Sequence, residues 1–480
     1  MSYLTPENRF VKRMQNVHLI GIGGSGMSGI AEVLHNLGFK VSGSDINDGD
    51  VVARLKKMGI TVIIGHKQAN IESANVVVVS SAIKDDNPEL IAAREQNKAI
   101  LSRAEMLAEL MRFKIGIAVA GTHGKTTTTS LVASVLAAGH LDPTFVIGGL
   151  LNSAGTNAGL GTSEYLVAEA DESDGSFQLL QPILAVVTNI DADHMQTFGG
   201  EFSQLKQAFE NFLHHLPFYG VAILCIDDEN VAELASRLVR PTISYGLSET
   251  AMIRAINISH HKQQMSFDLL AENKIISRDV IINLPGLHNV QNALAAIAIG
   301  LELGINIENV KRGLKQFAGI GRRFDLSQGL KCADGTFTMV DDYAHHPTEL
   351  TAAINACRGG WNNRLVVVFQ PHRYSRTRDL FDEFTESLNQ ADVLVLTDVY
   401  AAGEQAISGF NSADLSRSIR TRGKIDPIYI ADINNLINDL NDIIKDGDLV
   451  LLVGAGSIGL ISKAIVNNHG LLQTQQVSHD

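Results

Sequence analysis

Cysteine, tryptophan and long runs of one residue type are scarce in this chain of 480 residues, which has three cysteines and one tryptophan. Cys225, Cys332 and Cys357 are scattered and fit no metal or disulfide spacing, which excludes a disulfide scaffold and suits a reducing cytoplasm. No apolar run is long enough to span a membrane, and the N-terminal MSYLTPENRF lacks the apolar stretch of a signal peptide. We therefore expect a cytoplasmic protein without a membrane partner.

Positive charge is also limited, since the formal net charge is −13 and no long basic run occurs. This balance argues against a nucleic-acid partner, and it means that anionic substrates need local positive charge. Hydrophobic residues make up 45% and charged residues 19%, which is ordinary for a globular protein. The length suggests about three domains.

A glycine-rich segment at residues 121–128 is the most informative feature that is present. It follows a short apolar run, Ile115 to Ala120, and precedes a helix-like segment, Ser130 to Ala138. Backbone N–H groups of such a loop can surround phosphate oxygens, a lysine adds charge, and a threonine hydroxyl can reach Mg²⁺. We therefore predict an ATP loop made by Gly121, Thr122, His123, Gly124, Lys125, Thr126 and Thr127.

The loop departs from the common phosphate-loop spacing, because Val119 stands where the first glycine usually lies. The shorter form begins at Gly121 instead. The alternative is a glycine-rich turn that contains Lys-Thr by chance, but the order of strand, loop and helix favours the phosphate loop.

The first stretch, residues 1–107, reads as a Rossmann-like unit with its own glycine loop at Gly21, Gly23 and Gly26. Asp45 follows about 20 residues later, as expected for an acid on an NAD ribose. A dehydrogenase therefore stays open, but a UDP-sugar carries a comparable diphosphate. The predicted diphosphate site comprises Gly21, Gly23, Gly24, Ser25, Gly26, Ser44, Asp45 and Ser81.

The second stretch, residues 108–320, contains the ATP loop and collects acidic and amide groups at the ends of apolar runs. Such ends line the ligand crevice of parallel sheets. Mg²⁺ prefers oxygen ligands, so Thr126 and Glu169 are candidate ligands, with His194 as a further one. Asn289 and Asn292 open an alanine-rich segment and either hold an adenine edge or only pack.

The third stretch, residues 321–480, reads as a second Rossmann-like unit. Its strongest signal is Arg373 and Arg376, which share a face if the segment is helical and suit a carboxylate or phosphate. Surface charge is the alternative. The sequence thus predicts an α/β protein of three domains, Rossmann-like, phosphate-loop with a parallel or mixed sheet, and Rossmann-like.

Taken together, these motifs resemble those of the Mur ligase family over nearly the whole chain. The motifs are Gly-Ile-Gly-Gly-Ser-Gly-Met-Ser at 21–28, Gly-Thr-His-Gly-Lys-Thr-Thr at 121–127, Glu-Ala-Asp-Glu-Ser-Asp at 169–174, Asp-His at 193–194, His-Asn at 288–289, Asp-Asp-Tyr-x-His-His-Pro at 341–347 and Pro-His-Arg-Tyr-x-Arg at 371–376.

The resemblance implies ATP-dependent joining of L-alanine to the carboxylate of UDP-N-acetylmuramate through an acyl phosphate, in peptidoglycan synthesis. It implies two Mg²⁺ ions, with Lys125, Glu169, His194 and His345 at the reaction centre. The UDP-sugar would bind at 1–107, ATP at 108–320, and the amino acid with part of the nucleotide at 321–480. ATP would also contact His288, Asn289, Asn292, Arg323 and Asp342, and alanine would contact Tyr343, His345, Arg373 and Arg376.

Sister enzymes carry a carbamylated lysine after the Asp-His histidine, but this chain has Phe209 at the matching spacing and Lys206 one turn earlier. We therefore do not expect a carbamylated lysine. We expect a monomer or weak homodimer. A ligase that attaches a tripeptide to the same sugar, an NAD-linked oxidoreductase and a nucleotide-switch protein remain as alternatives.

Overall fold

Three β-sheets organise the chain. The computed structural model describes residues 14–80, 82–151 and 156–471. They form two compact units, one comprising residues up to Asn257 with Phe267–Ile281 and Val290–Ala318, the other Ile258–Ser266, Ile282–Asn289 and the chain from Gly319. We call these the first and second units.

The N-terminal sheet lies in the first unit and has five parallel strands in the order β3-β2-β1-β4-β5. Valine-rich and isoleucine-rich strands fit a sheet that is covered on both faces. Its elements are β1 (Asn16–Ile20), α1 (Ser25–Asn36), β2 (Lys40–Asp45), α2 (Asp50–Lys57), β3 (Thr61–Ile64), β4 (Val76–Val79), α3 (Pro88–Glu95), β5 (Ala99–Ser102) and α4 (Arg103–Arg112).

The central sheet has ten strands in the order β15-β14-β13-β12-β11-β10-β6-β9-β7-β8. Its middle strands are parallel, and β8 joins antiparallel at one edge. Its elements are β6 (Ile115–Ala120), α5 (Lys125–Ala138), β7 (Thr144–Leu151), β8 (Thr156–Gly159), β9 (Tyr165–Glu169), β10 (Leu184–Val187), α6 (Phe202–His214), β11 (Val221–Cys225), α7 (Glu229–Arg237), β12 (Thr242–Gly246), β13 (Ile253–His261), β14 (Gln264–Ala271), β15 (Lys274–Ile282), α8 (Leu287–Glu302) and α9 (Ile307–Gln316).

The C-terminal sheet lies in the second unit and has six strands in the order β16-β17-β21-β18-β19-β20, all parallel except β16. Its elements are β16 (Asp325–Cys332), β17 (Gly335–Asp342), α10 (Pro347–Gly360), β18 (Leu365–Phe369), α11 (Tyr374–Asp379), α12 (Phe381–Leu388), β19 (Val393–Thr397), α13 (Ser412–Thr421), β20 (Ile428–Ile430), α14 (Leu436–Ile443), β21 (Leu449–Val453) and α15 (Ile458–Asn467).

These three sheets confirm the predicted α/β class with three sheet-bearing parts. The predicted domain limits stay predictions, and the first of them, at 107/108, falls inside α4. One buried cluster runs continuously from Leu19 in β1 to Val187 in β10, which explains why no polar linker marks that position. All three cysteines are buried. Among the described residues, no helix is both long and apolar enough to cross a bilayer.

Candidate active site

The predicted phosphate loop connects β6 to α5 and needs glycine at two positions. Gly121 has φ +134° and Gly124 has φ +80°, in the region that side chains disfavour. A Cβ on Gly121 would lie 2.0 Å from Thr188 Oγ1, and one on Gly124 would lie 2.6 Å from Asn292 Oδ1. The loop is therefore fixed by close packing on both sides, and α5 begins directly at Lys125.

Strand register explains why distant residues meet at this loop. Val119 lies opposite Glu169 of β9, and Ala120 lies opposite Val187 of β10. The carboxyl ends of three neighbouring parallel strands therefore share one edge of the sheet. There Thr126 Oγ1 donates a hydrogen bond of 3.0 Å to Glu169 Oε1, and the Gly148 N–H donates to the other oxygen at 2.8 Å.

The ammonium of Lys125 lies inside the loop, where it contacts three oxygens. Lys125 Nζ donates to the carbonyl oxygens of Gly121 at 2.8 Å and Thr122 at 3.0 Å. It also lies 2.7 Å from Glu172 Oε2, a carboxylate that is 1% exposed. The lysine is therefore held at the phosphate loop by a buried acid that the sequence analysis did not assign.

Several acids share this single ammonium, and their pKa values diverge. Burial lowers the pKa of Lys125, but the charges of Glu172, Asp171 and Glu169 outweigh burial, so the pKa lies above its ordinary value. Burial raises the pKa of Glu172 to about 7 against the lowering effect of Lys125. Burial also acts to raise the pKa of Asp171, but Lys125, Ser173 and Arg103 bring it below its ordinary value. Asp171 is thus the ionised partner, while Glu172 readily accepts a proton.

Residues after β10 hold Thr122 and His123 of the phosphate loop in place. The Asn189 side chain accepts from the His123 N–H at 2.7 Å, and His123 Nε2 lies 3.0 Å from Asp191 Oδ2. The Thr122 N–H donates to the Asn189 carbonyl at 3.1 Å. In this structure, Thr122 and His123 therefore anchor the loop, and their contact with ATP stays a prediction.

His194, the third predicted metal ligand, follows in the same segment with a left-handed backbone at φ +54°. Its Nε2 lies 3.6 Å from Asp193 Oδ2. Such a conformation is uncommon for a residue other than glycine and often marks a functional position. Thr126 and Glu169 are thus directly joined in the structure, while the ligand role of His194 stays a prediction.

The glycine loop before α1 is held by the end of β2. The N–H groups of Gly21 and Ile22 donate to the Ser44 carbonyl at 2.8 and 3.0 Å, and the Gly23 N–H donates to Asp45 Oδ2 at 2.8 Å. The Ser44 side chain is fully buried, so in this structure both Ser44 and Asp45 support the loop itself.

The remaining predicted positions at this loop are less fully described. Gly24 caps α1, and Gly26 packs near the Arg103 side chain. Ser81 and the Ser25 side chain lie outside the described residues. Diphosphate contacts of this loop stay predictions.

In the second unit, a row of rings follows β17. Arg322 and Arg323 lie over the Tyr343 ring at 5.2 and 5.0 Å. The Tyr343 and His345 rings are 5.4 Å apart, edge to face. His345 Nδ1 lies 3.0 Å from the Tyr343 carbonyl oxygen and 3.4 Å from Glu349 Oε2, and because both oxygens accept, Nδ1 carries a proton.

This row continues through two residues that the sequence analysis did not assign. The His372 ring lies 5.9 Å from His345 and stacks on Tyr400 at 5.4 Å and 15°. The signal for His372 was its place in Pro-His-Arg-Tyr-x-Arg after β18, and Tyr400 likewise follows a buried strand, β19.

The two arginines predicted to bind a carboxylate differ in setting. Arg376 lies in α11 and is buried, with Nη1 3.4 Å from His372 Nδ1. Arg373 is exposed and precedes the helix with φ +73°. The condition for a common helical face is therefore not met, because the helix begins only after Arg373, which has a positive φ. The Arg373 N–H donates to the Tyr400 carbonyl at 2.9 Å.

Other predicted nucleotide contacts have supporting roles in this structure. Asp342 accepts from the N–H groups of Phe324 at 2.7 Å and Ala344 at 2.8 Å, and burial raises its pKa to about 6. The Asn289 amide donates to the Pro285 carbonyl at 2.7 Å, and burial lowers the pKa of the neighbouring His288 to about 4. Their contacts with ATP stay predictions.

Asn292 has defined neighbours in the structure, and so does Phe209, which stands where the sister enzymes carry their lysine. Asn292 Oδ1 accepts from Thr128 Oγ1 at 3.1 Å, directly beneath the phosphate loop. Phe209 is fully buried against Phe177, with ring centroids 5.1 Å apart. Lys206 Nζ lies 2.7 Å from Glu233.

The glycine loop, the half-buried lysine and the joined threonine and glutamate define a phosphate-loop α/β protein. Comparison with known proteins specifies the class further. Models of the Mur ligase family match three consecutive parts: the catalytic domain at residues 16–115, the middle domain at 119–300 and the glutamate ligase domain at 322–456.

Similar proteins agree with these matches over almost the full length. A UDP-N-acetylmuramate--L-alanine ligase of Azoarcus sp. (strain BH72) is 54% identical over 95% of this chain and 98% of its own length. The enzyme of that name from Burkholderia vietnamiensis is 55% identical with the same coverage. The crystal structure of a UDP-N-acetylmuramate-alanine ligase from Thermotoga maritima matches with a TM-score of 0.79 and 28% identity, over 95% of this chain and 99% of that one. The chain belongs to the Mur ligase family.

Proposed function

We propose that this chain joins L-alanine to the carboxylate of UDP-N-acetylmuramate, with cleavage of ATP to ADP and phosphate, in peptidoglycan synthesis. The names of relatives that are 54–55% identical over 94–95% of the chain carry the proposal. The phosphate loop with Lys125 and Glu169 supplies the chemistry that such a ligase needs.

In the first step, a carboxylate oxygen of the sugar attacks the γ-phosphorus of ATP, and ADP leaves. The transition state spreads negative charge over the transferred phosphoryl group. Lys125 is charged and lies at the loop, so it is placed to stabilise this charge. The product is an acyl phosphate, in which the former carboxylate is activated.

Mg²⁺ would neutralise phosphate charge when bound with ATP. Thr126 Oγ1 and Glu169 Oε1 are the fitting donors, because both are oxygens and lie 3.0 Å apart at the helix start. We infer that His194 serves a second of two ions. Asp171, the ionised acid beside Lys125, adds negative charge near the phosphate loop.

In the second step, the amine of L-alanine attacks the acyl carbon, and phosphate leaves. The amine must first lose a proton, and we propose that His345 accepts it at Nε2, since its Nδ1 faces the Tyr343 carbonyl oxygen. We propose that Arg373 and Arg376 bind the alanine carboxylate and that Tyr343 limits the size of the side chain. Arg323, Asp342, His288, Asn289 and Asn292 would complete the ATP contacts.

The remaining proposals concern location and the sugar. We propose that residues 1–107 bind the UDP-sugar through Gly21, Gly23, Gly24, Ser25, Gly26, Ser44, Asp45 and Ser81. Residues 108–320 would bind ATP, and 321–480 the amino acid and part of the nucleotide. The protein would act in the cytoplasm as a monomer or weak homodimer.

The test is phosphate release from ATP with Mg²⁺, UDP-N-acetylmuramate and single amino acids. Release that depends on both the sugar and L-alanine is expected. No release with alanine, or equal release with every amino acid, would reject the proposal. A parallel assay with the tripeptide L-alanyl-γ-D-glutamyl-meso-diaminopimelate tests the alternative of a peptide ligase.

A further inference from the structure

Glu89 is a buried carboxylate in the first unit that the ligation mechanism does not use. It lies in the first turn of α3 and is 0% exposed. Its Oε2 accepts from Ser44 Oγ at 2.5 Å, and the imidazole nitrogens His66 Nδ1 and His18 Nε2 lie 3.3 and 3.7 Å away. Burying a charged acid is unfavourable unless it is fully hydrogen-bonded, so this carboxylate needs an explanation.

The other carboxylate oxygen joins a second segment to the first. Glu89 Oε1 accepts from the side chain of Asn70 and from the Lys67 N–H at 3.4 Å. Burial acts to raise the pKa of Glu89, but the nearby His18 and the hydrogen bonds from Ser44 and Asn70 lower it to about 2. The group is thus an ionised acceptor that ties α3 to the end of β2 and to the segment after β3.

The residue that Glu89 holds is itself the anchor of the glycine loop. The Ser44 carbonyl accepts from the N–H groups of Gly21 and Ile22, at 2.8 and 3.0 Å. Fixing the Ser44 side chain therefore fixes the direction of the carbonyl oxygen to which the Gly21 and Ile22 N–H groups donate. Ser44 is thus the single residue that links the Glu89 carboxylate to the glycine loop before α1.

We propose that Glu89 is a positioning residue that, through Ser44, holds the glycine loop in the shape that binds the diphosphate of the UDP-sugar. This inference rests on the proposed function, because it takes the UDP-sugar as the ligand of that loop. It predicts that Glu89 controls affinity for the sugar nucleotide and leaves the ATP and amino-acid sites unaffected.

Glu89→Gln is the sharpest variant, because it keeps size and shape but has one acceptor oxygen in place of two. The side chain of Asn70 and the Lys67 N–H both donate to Oε1, so a glutamine keeps its acceptor there only if its NH₂ faces Ser44 Oγ, which reverses the hydrogen bond that Ser44 donates. We expect the dissociation constant for UDP-N-acetylmuramate, measured by calorimetry without ATP, to rise about tenfold, which is about 1.4 kcal/mol. The KM for that substrate should rise similarly, with kcat and the KM for ATP within about twofold.

Two further variants separate positioning from general destabilisation. Glu32→Gln is the matched control, since Glu32 is a buried acid of the same unit that pairs with Arg54. It should leave the affinity for the UDP-sugar unchanged. Ser44→Ala should weaken UDP-sugar binding, and the double variant with Glu89→Gln should be no weaker than the worse single one, because both act through one contact.

The binding measurement keeps this inference distinct from the proposed ligation. If the wild-type protein binds the UDP-sugar but releases no phosphate with alanine, the ligase proposal fails while the role of Glu89 remains testable by calorimetry. Equal loss of affinity in Glu32→Gln, additive effects of Ser44→Ala, or unchanged affinity in Glu89→Gln would each overturn the positioning role.

Discussion

Replacing Lys125 with methionine should abolish ligation and also make the stability of the protein depend on pH in a new way. Methionine is unbranched and of similar length, so the change mainly removes the ammonium that lies 2.7 Å from Glu172. Glu172 is 1% exposed and would remain as a buried acid without its cation. An uncompensated buried charge typically costs about 3–5 kcal/mol, unless the group takes up a proton.

The magnitude follows from the pKa of Glu172, which burial raises from 4.5 to about 7 in the wild type. The folded state then binds more protons than the unfolded state between these pH values, so stability falls as pH rises through this window. At about 1.4 kcal/mol per pH unit, the loss amounts to about 3 kcal/mol and is complete above pH 7. Without Lys125 the pKa of Glu172 lies higher still, and stability continues to fall.

The part of the difference in unfolding free energy between wild type and Lys125→Met that comes from Glu172 should therefore be small at about pH 6, where Glu172 is mostly protonated in both. The loss of the Lys125 charge beside Asp171 is present at both pH values. At about pH 9 the variant should lose about 3 kcal/mol more than at pH 6, because its Glu172 carboxyl must still hold a proton while that of the wild type is ionised beside Lys125. Adding Glu172→Gln should remove this additional loss at pH 9. The double variant should stay inactive, since the phosphate-binding charge is still missing.

Urea unfolding followed by far-ultraviolet circular dichroism at the two pH values measures these differences. Calorimetry with UDP-N-acetylmuramate checks that the single variant keeps its sugar site. A loss of stability that is equal at pH 6 and pH 9, or no recovery in the double variant, would refute the coupling between Lys125 and Glu172. Normal turnover of Lys125→Met would refute its role in ligation.

The metal, amino-acid and surface-lysine expectations can each be tested by one substitution. Glu169→Gln should raise the Mg²⁺ concentration needed for half-maximal phosphate release by at least about tenfold; an unchanged requirement would remove Glu169 from the metal site. His345→Gln should lower kcat by about a hundredfold, with little change in the KM for ATP, because it removes the basic Nε2; a normal kcat would require another base. Lys206→Ala should keep ligation within about twofold, since its Nζ pairs with Glu233; a large loss that bicarbonate modulates in the wild type would indicate a carbamylated lysine.

Local patterns were enough to predict much of the fold and the position of the phosphate loop. The apolar run before Gly121 is β6, and the helix begins at Lys125. Gly38, the second residue after α1, has φ +93°, a conformation in which glycine commonly follows a helix end. These features depend on neighbouring residues only, which is why the sequence reveals them.

Contacts between distant segments could not be predicted in the same way. Glu172 lies only three residues after Glu169, yet its contact with Lys125 depends on how the chain turns after β9. The pairing of His372 with Tyr400 depends on the register of β18 and β19. The hydrogen bond from the Phe324 N–H to Asp342 also joins segments that are apart in the sequence, while the contact of Asp342 with ATP stays a prediction.

The ring of Phe324, held in this way, stacks on Trp361 with centroids 6.0 Å apart and planes 25° apart. Trp361 is the one tryptophan of the chain, and it belongs to the second unit. Tryptophan emission therefore reports on that unit by itself, while circular dichroism senses both. A urea titration recorded with both signals would reveal whether the two units unfold together or in sequence, without any label on the protein.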